Sequence, residues 1–275
     1  MTRYSSVTFW DVIEEAGIPK PKTYPSQSRF LRWGKNGRYY AKDIGDGIIY
    51  GDWKEGINKF YPHSCSNKPS KHQTKERQTK FLEQIDKDAK ERNNINLITS
   101  KKAEYIFNKS KIVLSEDEHK YLLDKNINQN GTRILNKELI IPLYSIDKKL
   151  WSIQFISEDG NKRFLKNGRK KGCFYPLGQV ADYIPLIICE GFATGCTLHE
   201  LTNYSVICAL DAGNLYEVTK VIRSKYPNNQ IIIAADNDCY GNRNIGIETA
   251  MAVAKKFNCK VIYPTFGRGG INHAE

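Results

Sequence analysis

The stretch Leu186-Ile187-Ile188-Cys189-Glu190-Gly191 decides the fold of the C-terminal third, and its pattern returns in Ile231-Ile232-Ile233-Ala234-Ala235-Asp236-Asn237-Asp238. Apolar runs of this length predict strands that are covered on both faces. Two more strands are predicted at 205–210 and 260–263, with helices at 193–201, 214–226 and 246–257 between the strands. This alternation predicts a small, mostly parallel α/β sheet with flanking helices.

Acidic residues stand where two of these strands end. Glu190 follows the first run directly, and Asp236 and Asp238 follow the other. Functional groups collect at the carboxyl ends of parallel strands, so the three carboxylates are predicted to converge there. They would repel one another unless a cation lay between them, and their oxygens suit Mg²⁺ or Mn²⁺. Taken alone, Asp-x-Asp after a strand is more typical of a turn. Gly191 is predicted to permit the tight turn into the next helix.

Ahead of the sheet, the sequence predicts three further regions. The full division is a β-rich accessory domain at 1–67, a helical linker at 68–112, a mixed α+β subdomain at 113–182 and the parallel sheet at 183–275. A charged helix is predicted over 68–92 and a weaker one near 101–107. Strands are predicted at 38–41, 47–53, 139–144, 150–156 and 163–165.

The charge balance favours a polyanionic partner. Lys and Arg number 42 against 30 Asp and Glu, a net charge of +12. The stretch between Asn161 and Gly172 has no acidic residue and holds six basic ones: Lys162, Arg163, Lys166, Arg169, Lys170 and Lys171. Such a segment is either a solvated loop or a nucleic-acid contact. Trp33, Tyr39, Tyr40 and Trp53 alternate with basic residues, as expected of a small core or of a second single-strand platform.

From the sequence we expect neither a membrane protein, nor a secreted protein, nor a zinc protein. No apolar run is long enough to span a membrane, and the N-terminal residues do not read as a secretory signal. The odd number of cysteines and the lack of Cys-x-x-Cys indicate a reducing, cytoplasmic location. His63, Cys65 and His72 lack a fourth ligand at the usual spacing, so no zinc is expected.

Residues Glu190-Gly191-Phe192-Ala193-Thr194, Asp211-Ala212-Gly213-Asn214-Leu215 and Asp236-x-Asp238 together resemble the Toprim domain. The first two phrases are similar to those of primases from conjugative plasmids, phages and integrated elements, the TraC-like group. Gly51-Asp52-Trp53-Lys54-Glu55-Gly56 is a weaker likeness to that group's N-terminal domain. The resemblance implies a Toprim-like catalytic domain after a primase-type subdomain.

The resemblance also implies an activity, which is synthesis of short primers on single-stranded DNA during replication of a mobile element. Glu190 would be the acid nearest the primer end, Asp236 and Asp238 would hold Mg²⁺ or Mn²⁺, and Asp211 could add a ligand. The basic segment would contact template and nucleotide. The implied partners are single-stranded DNA, nucleoside triphosphates and a replicative helicase.

Two alternatives stay open, and a departure from the family motivates one of them. The family closes with an aspartate-containing segment, whereas this chain ends Gly269-Gly270-Ile271-Asn272-His273-Ala274-Glu275. A catalytically decayed single-strand-binding replication protein would fit that ending. A Toprim nuclease would use the same acidic residues to cut phosphodiesters with the same metals.

Overall fold

The computed structural model describes residues 8–45, 47–63, 71–237 and 244–265. The chain forms two compact units, residues 1–91 and 92–275. The four-part division made from the sequence is finer than this and stays a prediction. Within the described ranges, no helix has both the length and the apolar character needed to cross a membrane.

The first unit is a helix on an antiparallel sheet. Its elements are α1 Phe9–Glu15, β1 Leu31–Trp33, β2 Tyr39–Asp43, β3 Gly47–Asp52, β4 Ile57–Pro62 and the part of α2 (Lys71–Lys109) that precedes residue 92. The strands pair in sequence order, each antiparallel to the next. Thr8 begins α1 with a capping box to Asp11, which satisfies the first free amides of the helix. Phe9, Ile13, Ala41, Ile48 and Tyr50 form the core on one face of the sheet.

Helix α2 runs without a break from Lys71 to Lys109. The sequence predicted two helices here, and this was wrong because tertiary contacts outweigh the poor helix formers between them. In the second unit, the Ser100 hydroxyl donates to the Leu150 carbonyl at 2.6 Å. Ala103 is fully buried in a cluster that includes Ile140 and Ile153. Packing therefore keeps the later turns of α2 helical.

The second unit begins with an antiparallel sheet. Its elements are β5 Lys111–Ile112, α3 Lys120–Lys125, β6 Arg133–Leu135, β7 Glu138–Tyr144, β8 Leu150–Ile156 and β9 Lys162–Phe164. The strands lie in chain order from β5 to β9. Strand β7 and strand β8 are almost wholly buried, which explains their apolar sequences.

The parallel sheet follows and confirms the α/β class predicted from the sequence. Its elements are β10 Tyr175–Leu177, β11 Leu186–Cys189, α4 Phe192–Thr202, β12 Ser205–Cys208, α5 Leu215–Lys225, β13 Ile231–Ala234, α6 Ile245–Phe257 and β14 Lys260–Ile262. The strand order is β10-β12-β11-β13-β14, and β10 is the antiparallel member. Helix α4 packs on one face, and α5 and α6 pack on the other.

Cysteine side chains fill the space beneath α4. Cys189 and Cys208 are opposite each other on β11 and β12, with their Sγ atoms 3.9 Å apart. Cys196 of α4 is buried in the same cluster. A methyl group at Gly195 would overlap the Cys208 sulfur, so this glycine lets α4 approach the sheet closely. These thiols therefore act as small apolar groups in the core.

Candidate active site

Three acidic residues follow the carboxyl ends of three neighbouring parallel strands. Cys189, the last residue of β11, pairs with Cys208 of β12 on one side and with Ala234 of β13 on the other. Glu190 comes directly after β11, Asp211 follows β12 and Asp236 follows β13. The register therefore brings all three to one edge of the sheet, where each is partly buried. Asp238 lies outside the described residues, as do the last ten residues of the chain.

The backbone fixes Glu190 to the segment after β12. The carbonyl of Glu190 accepts a hydrogen bond from the Leu210 amide at 2.7 Å. Leu210 has φ +62°, a strained conformation for a residue with a branched side chain. Its own carbonyl accepts from the buried Gln154 amide at 3.2 Å. This strained position directs the chain into Asp211.

Gly191 caps α4 but does not supply unusual backbone freedom. Its φ of −91° and ψ of 151° are an extended conformation that other residues adopt. A methyl group there would lie 3.4 Å from the Thr194 hydroxyl oxygen, which is an ordinary contact. The prediction that glycine is needed here for a tight turn into α4 is therefore wrong. The backbone is that of a normal N-cap residue.

Asp211 is engaged on both carboxylate oxygens. Oδ1 accepts from the Gly213 amide at 2.9 Å, so Asp211 caps the short 3₁₀ turn Ala212–Asn214. Oδ2 forms an ion pair with Nζ of Lys170 from the basic segment. In this arrangement a lysine ammonium supplies the positive charge that a metal would otherwise bring. The ammonium of Lys170 therefore competes with any cation for Oδ2 of Asp211.

Asn214 is the residue that sequence reasoning missed. Its side chain is 4% exposed, and its Nδ2 donates to the carbonyls of Cys173 at 2.8 Å and Ala209 at 3.0 Å. Its Oδ1 accepts from the Gly172 amide at 2.9 Å. One amide therefore joins the end of the basic segment to the acidic edge of the sheet. The only sequence signal is its place in the phrase Asp-Ala-Gly-Asn after a strand.

Asp236 sits where α6 meets the sheet. A methyl group at Gly246 would overlap the Asp236 carbonyl oxygen, so glycine is needed for this close approach. The next residue, Asn237, donates to the Pro264 carbonyl at 2.6 Å and accepts from the Asn244 amide at 2.5 Å. Asn244 in turn caps α6 by accepting from Ile247. Asn237 and Asn244 thus contact each other and hold the end of β13 near the start of α6.

The described carboxylates meet only part of what a metal centre needs. Within 8–45, 47–63, 71–237 and 244–265, no three His, Cys, Asp or Glu side chains are grouped closely enough to hold a metal. Mg²⁺ commonly uses one or two carboxylates and completes its shell with waters and substrate phosphates. Glu190 and Asp236 are of the right chemistry for this, whereas Asp211 is committed to Lys170. Of the three residues considered for zinc, Cys65 falls outside the described ranges.

Several basic side chains of the basic segment form ion pairs with carboxylates of the chain. Arg163 binds Glu138, with Nε 3.1 Å from Oε1, and Lys171 lies 3.0 Å from the Glu217 carboxylate. With the Lys170–Asp211 pair, three of the six cations have a carboxylate partner. Because these pairs are partly exposed, they are weak and can be exchanged for phosphate.

The other three basic residues are arranged around aromatic rings or in solvent. The Arg169 guanidinium lies 4.8 Å from the Trp151 ring centroid, and the Lys162 ammonium lies 6.0 Å from that of Tyr121. Lys166 is exposed. At the end of the segment, burial raises the pKa of the Cys173 thiol to about 11. The segment thus runs from an exposed basic part, which includes Lys166, to the buried Cys173 that follows it.

Residues 185–265 match the family described as the Toprim domain. This range contains β11 to β14 and the acidic edge of the sheet. The family domain is therefore part of this chain, as the resemblance in the sequence implied.

Two curated relatives extend the similarity beyond that domain. Both are the DNA primase TraC of Escherichia coli, one 37% identical over 157 residues and the other 36% identical over 159 residues. The matches cover 53% and 54% of this chain but only 11% and 15% of those proteins. The similarity to TraC primases therefore extends over more residues than the Toprim match at 185–265.

Solved primase structures are more distant. The primase fragment of the bacteriophage T7 primase–helicase protein has a TM-score of 0.43 at 14% identity, covering 58% of this chain and 68% of that one. A DNA primase domain from Pseudomonas aeruginosa has a TM-score of 0.34 at 14% identity, covering 54% and 51%. Scores of this size establish no detailed correspondence.

Proposed function

We propose that the chain is a DNA primase that makes short primers on single-stranded DNA from nucleoside triphosphates. The observation that carries the proposal is the Toprim match over 185–265, in which Glu190 and Asp236 follow neighbouring strands. The similarity to TraC primases supports the same activity. Replication of a mobile element is the proposed setting, and a replicative helicase is a further proposed partner.

The chemistry is nucleotidyl transfer. The oxygen of a 3′ hydroxyl forms a bond to the α-phosphorus of a nucleoside triphosphate, and the bond to pyrophosphate breaks. Catalysis of this kind depends on alignment and charge neutralisation. A bound Mg²⁺ or Mn²⁺ would supply positive charge beside the phosphates. In this proposal Asp236 and Asp238 hold the metal, and Glu190 takes part nearest the primer end.

The basic segment would hold the template by its phosphates. Lys170 has a particular place, because it already bridges this segment to Asp211 at the acidic edge. A phosphate arriving at the edge would compete with Asp211 for the same ammonium. Release of Asp211 would then add a carboxylate to the site at the moment when substrate is present.

The direct test is primer synthesis on circular single-stranded DNA with labelled nucleotides and Mg²⁺ or Mn²⁺. Asp236→Asn and Glu190→Gln should each reduce product by about 10²-fold or more, as loss of a group that stabilises developing charge does. Asp182→Asn is the matched control, since Asp182 is exposed and precedes the amino end of β11, opposite the end that Glu190 follows. Wild-type yield from Asp236→Asn would refute the proposal.

The same preparation distinguishes the two alternatives. A nuclease would degrade labelled DNA with metal and without nucleotides. A non-catalytic single-strand-binding protein would show salt-sensitive DNA binding that Asp236→Asn leaves unchanged, with no product under any metal.

A further inference from the structure

One face of the sheet in the first unit carries an aromatic and basic surface, formed by Arg32, Tyr40, Gly51 and Trp53 and called here the aromatic platform. Arg32 lies opposite Tyr40 on β1 and β2, and Tyr40 lies opposite Gly51 on β3. Residues opposite one another project from the same face of a sheet. Trp53 follows Gly51 by two residues, and its amide continues the pairing by donating to the Arg38 carbonyl at 3.0 Å.

The platform lies on the opposite face of the sheet from the core of this unit. The same face also carries Lys42 and Ile49, which are buried, and Lys42 pairs with Asp88 of α2 at 3.3 Å. The exposed part of the platform is therefore Arg32 and Trp53. Ala41, Ile48 and Tyr50 occupy the other face, and Trp33 and Tyr39 pack against that cluster. The four aromatic residues singled out in the sequence therefore divide into two pairs. Trp33 and Tyr39 support the core, whereas Tyr40 and Trp53 belong to the platform.

Gly51 leaves room for the Tyr40 ring, because it has no side chain. A methyl group there would overlap the Ile57 carbonyl oxygen and come within 2.6 Å of the Tyr40 hydroxyl. Without that group, Tyr40 crosses the strand and its hydroxyl donates to Ile57 O at 3.2 Å. The Trp53 ring then lies on the Tyr40 ring, with centroids 4.3 Å apart and planes inclined by 30°.

Trp53 is held in place although most of it is exposed. Its exposed fraction is 55%, against 4% for Tyr40 beneath it. Asp52 fixes the turn that follows, because it accepts from the Lys54 amide at 2.8 Å and pairs with Arg38 at 2.6 Å. These contacts lower the pKa of Asp52. An exposed aromatic ring on such a rigid turn loses little conformational entropy when it binds a partner.

One positively charged group lies against the ring. The Arg32 guanidinium lies 5.4 Å from the Trp53 ring centroid, and Lys35 and Lys54 are exposed nearby in the sequence. A ligand for this surface needs a planar ring to stack and an anion to pair with the basic groups. Single-stranded nucleic acid has both at every nucleotide, whereas the bases of a duplex are already stacked.

We propose that the aromatic platform binds single-stranded nucleic acid, with a base stacked at Trp53 and an adjacent phosphate near Arg32. The proposal gives a role to the Gly-Asp-Trp-Lys-Glu-Gly motif. Gly51 admits Tyr40, Asp52 fixes the turn, Trp53 stacks, and Gly56 takes a positive φ of 67° at the end of the turn. This site is separate from the acidic residues and does not depend on primer synthesis.

The test measures binding of a labelled oligothymidylate to the full chain by fluorescence anisotropy, in EDTA and without nucleotides. Loss of one stacked base should raise the Kd of Trp53→Ala by roughly 5- to 150-fold, while Trp53→Phe should keep most of the affinity. If Arg32 neutralises one phosphate, Arg32→Gln should make the slope of log K against log salt less negative by about 0.7.

Tyr105→Ala is the matched control. Tyr105 is also an exposed aromatic residue, at 60%, with the Lys109 ammonium 5.0 Å from its ring, but it lies on a helix. Its replacement should leave the Kd unchanged. Circular dichroism would check that each variant is folded, and Arg32→Gln tests the site without removing a packed ring.

Two results would overturn the proposal. One is wild-type affinity and salt dependence for both Trp53→Ala and Arg32→Gln, which would also be the outcome if the platform bound a protein. The other is an equal loss of affinity in Tyr105→Ala. Because metal and nucleotides are absent from the assay, failure of primer synthesis would not affect either result.

Discussion

Replacing Asn214 by alanine should destabilise the second unit and weaken template binding together. The substitution leaves the Gly172 amide and the carbonyls of Cys173 and Ala209 without their partner. An unsatisfied buried group costs about 1–3 kcal/mol, and water entering the vacated space recovers part of that. We therefore expect the free energy of unfolding to fall by about 2–4 kcal/mol. Since domains are usually stable by about 5–15 kcal/mol, the variant should still fold.

The assay is urea unfolding followed by circular dichroism, combined with single-stranded DNA binding under conditions where the variant is folded. Asn229→Ala is the matched control. Asn229 is also buried, and its Nδ2 donates to the carbonyls of Ala181 at 3.0 Å and Ile184 at 3.2 Å, near the opposite end of the strands. It should lose comparable stability while its DNA affinity stays unchanged.

Asn214→Asp separates hydrogen bonding from size. A carboxylate could still accept from the Gly172 amide, but it cannot donate to the two carbonyls. Its stability should therefore be no better than that of the alanine variant. The reasoning would be refuted if Asn214→Ala unfolded at the wild-type urea concentration. The reasoning would equally fail if Asn214→Ala and Asn229→Ala weakened DNA binding to the same extent.

Three further predictions concern the same unit. Gly246→Ala should lower the free energy of unfolding in urea by about 1–3 kcal/mol, because its methyl group would overlap the Asp236 carbonyl; an unchanged value would contradict this. Lys170→Met should change the free energy of unfolding by no more than about 1 kcal/mol, since the pair with Asp211 is partly exposed. It should nevertheless reduce the salt dependence of DNA binding. Burial raises the pKa of Cys173 from 9.0 to about 11, so the folded state keeps a proton that the unfolded state loses. Stability should therefore decrease as pH rises from about 9 to 11, by up to about 2–3 kcal/mol, and Cys173→Ala should lack this part of the decrease in urea titrations.

The parallel sheet was predictable because its central strands β11 and β12 are wholly buried. Continuous apolar runs, such as 186–189, leave few alternatives to a covered strand, and β11 has the predicted bounds. The positions of Glu190 and Asp236 at strand ends followed from the same pattern. Their convergence then depended only on the general rule that parallel strands end at one edge.

The remaining features depend on contacts between distant residues, which leave little local pattern. Strand β10 has three residues, one of them proline, and exists because it pairs with β12 some thirty residues later. The Lys170–Asp211 ion pair joins groups 41 residues apart. In the first unit, the sequence could not decide which aromatic residues face the core, because β1 and β4 were not predicted and the register was unknown.

The buried cysteines give the protein built-in reporters of local opening. Cys189 and Cys208 are completely inaccessible, and Cys189 immediately precedes Glu190. An alkylating reagent can reach them only after β11 and β12 separate from α4, whereas Cys259 is partly accessible. The rate of modification, followed by mass spectrometry, would therefore report how often this edge of the sheet opens. Slower labelling on addition of a metal, a nucleotide or a DNA strand would show which of them closes it.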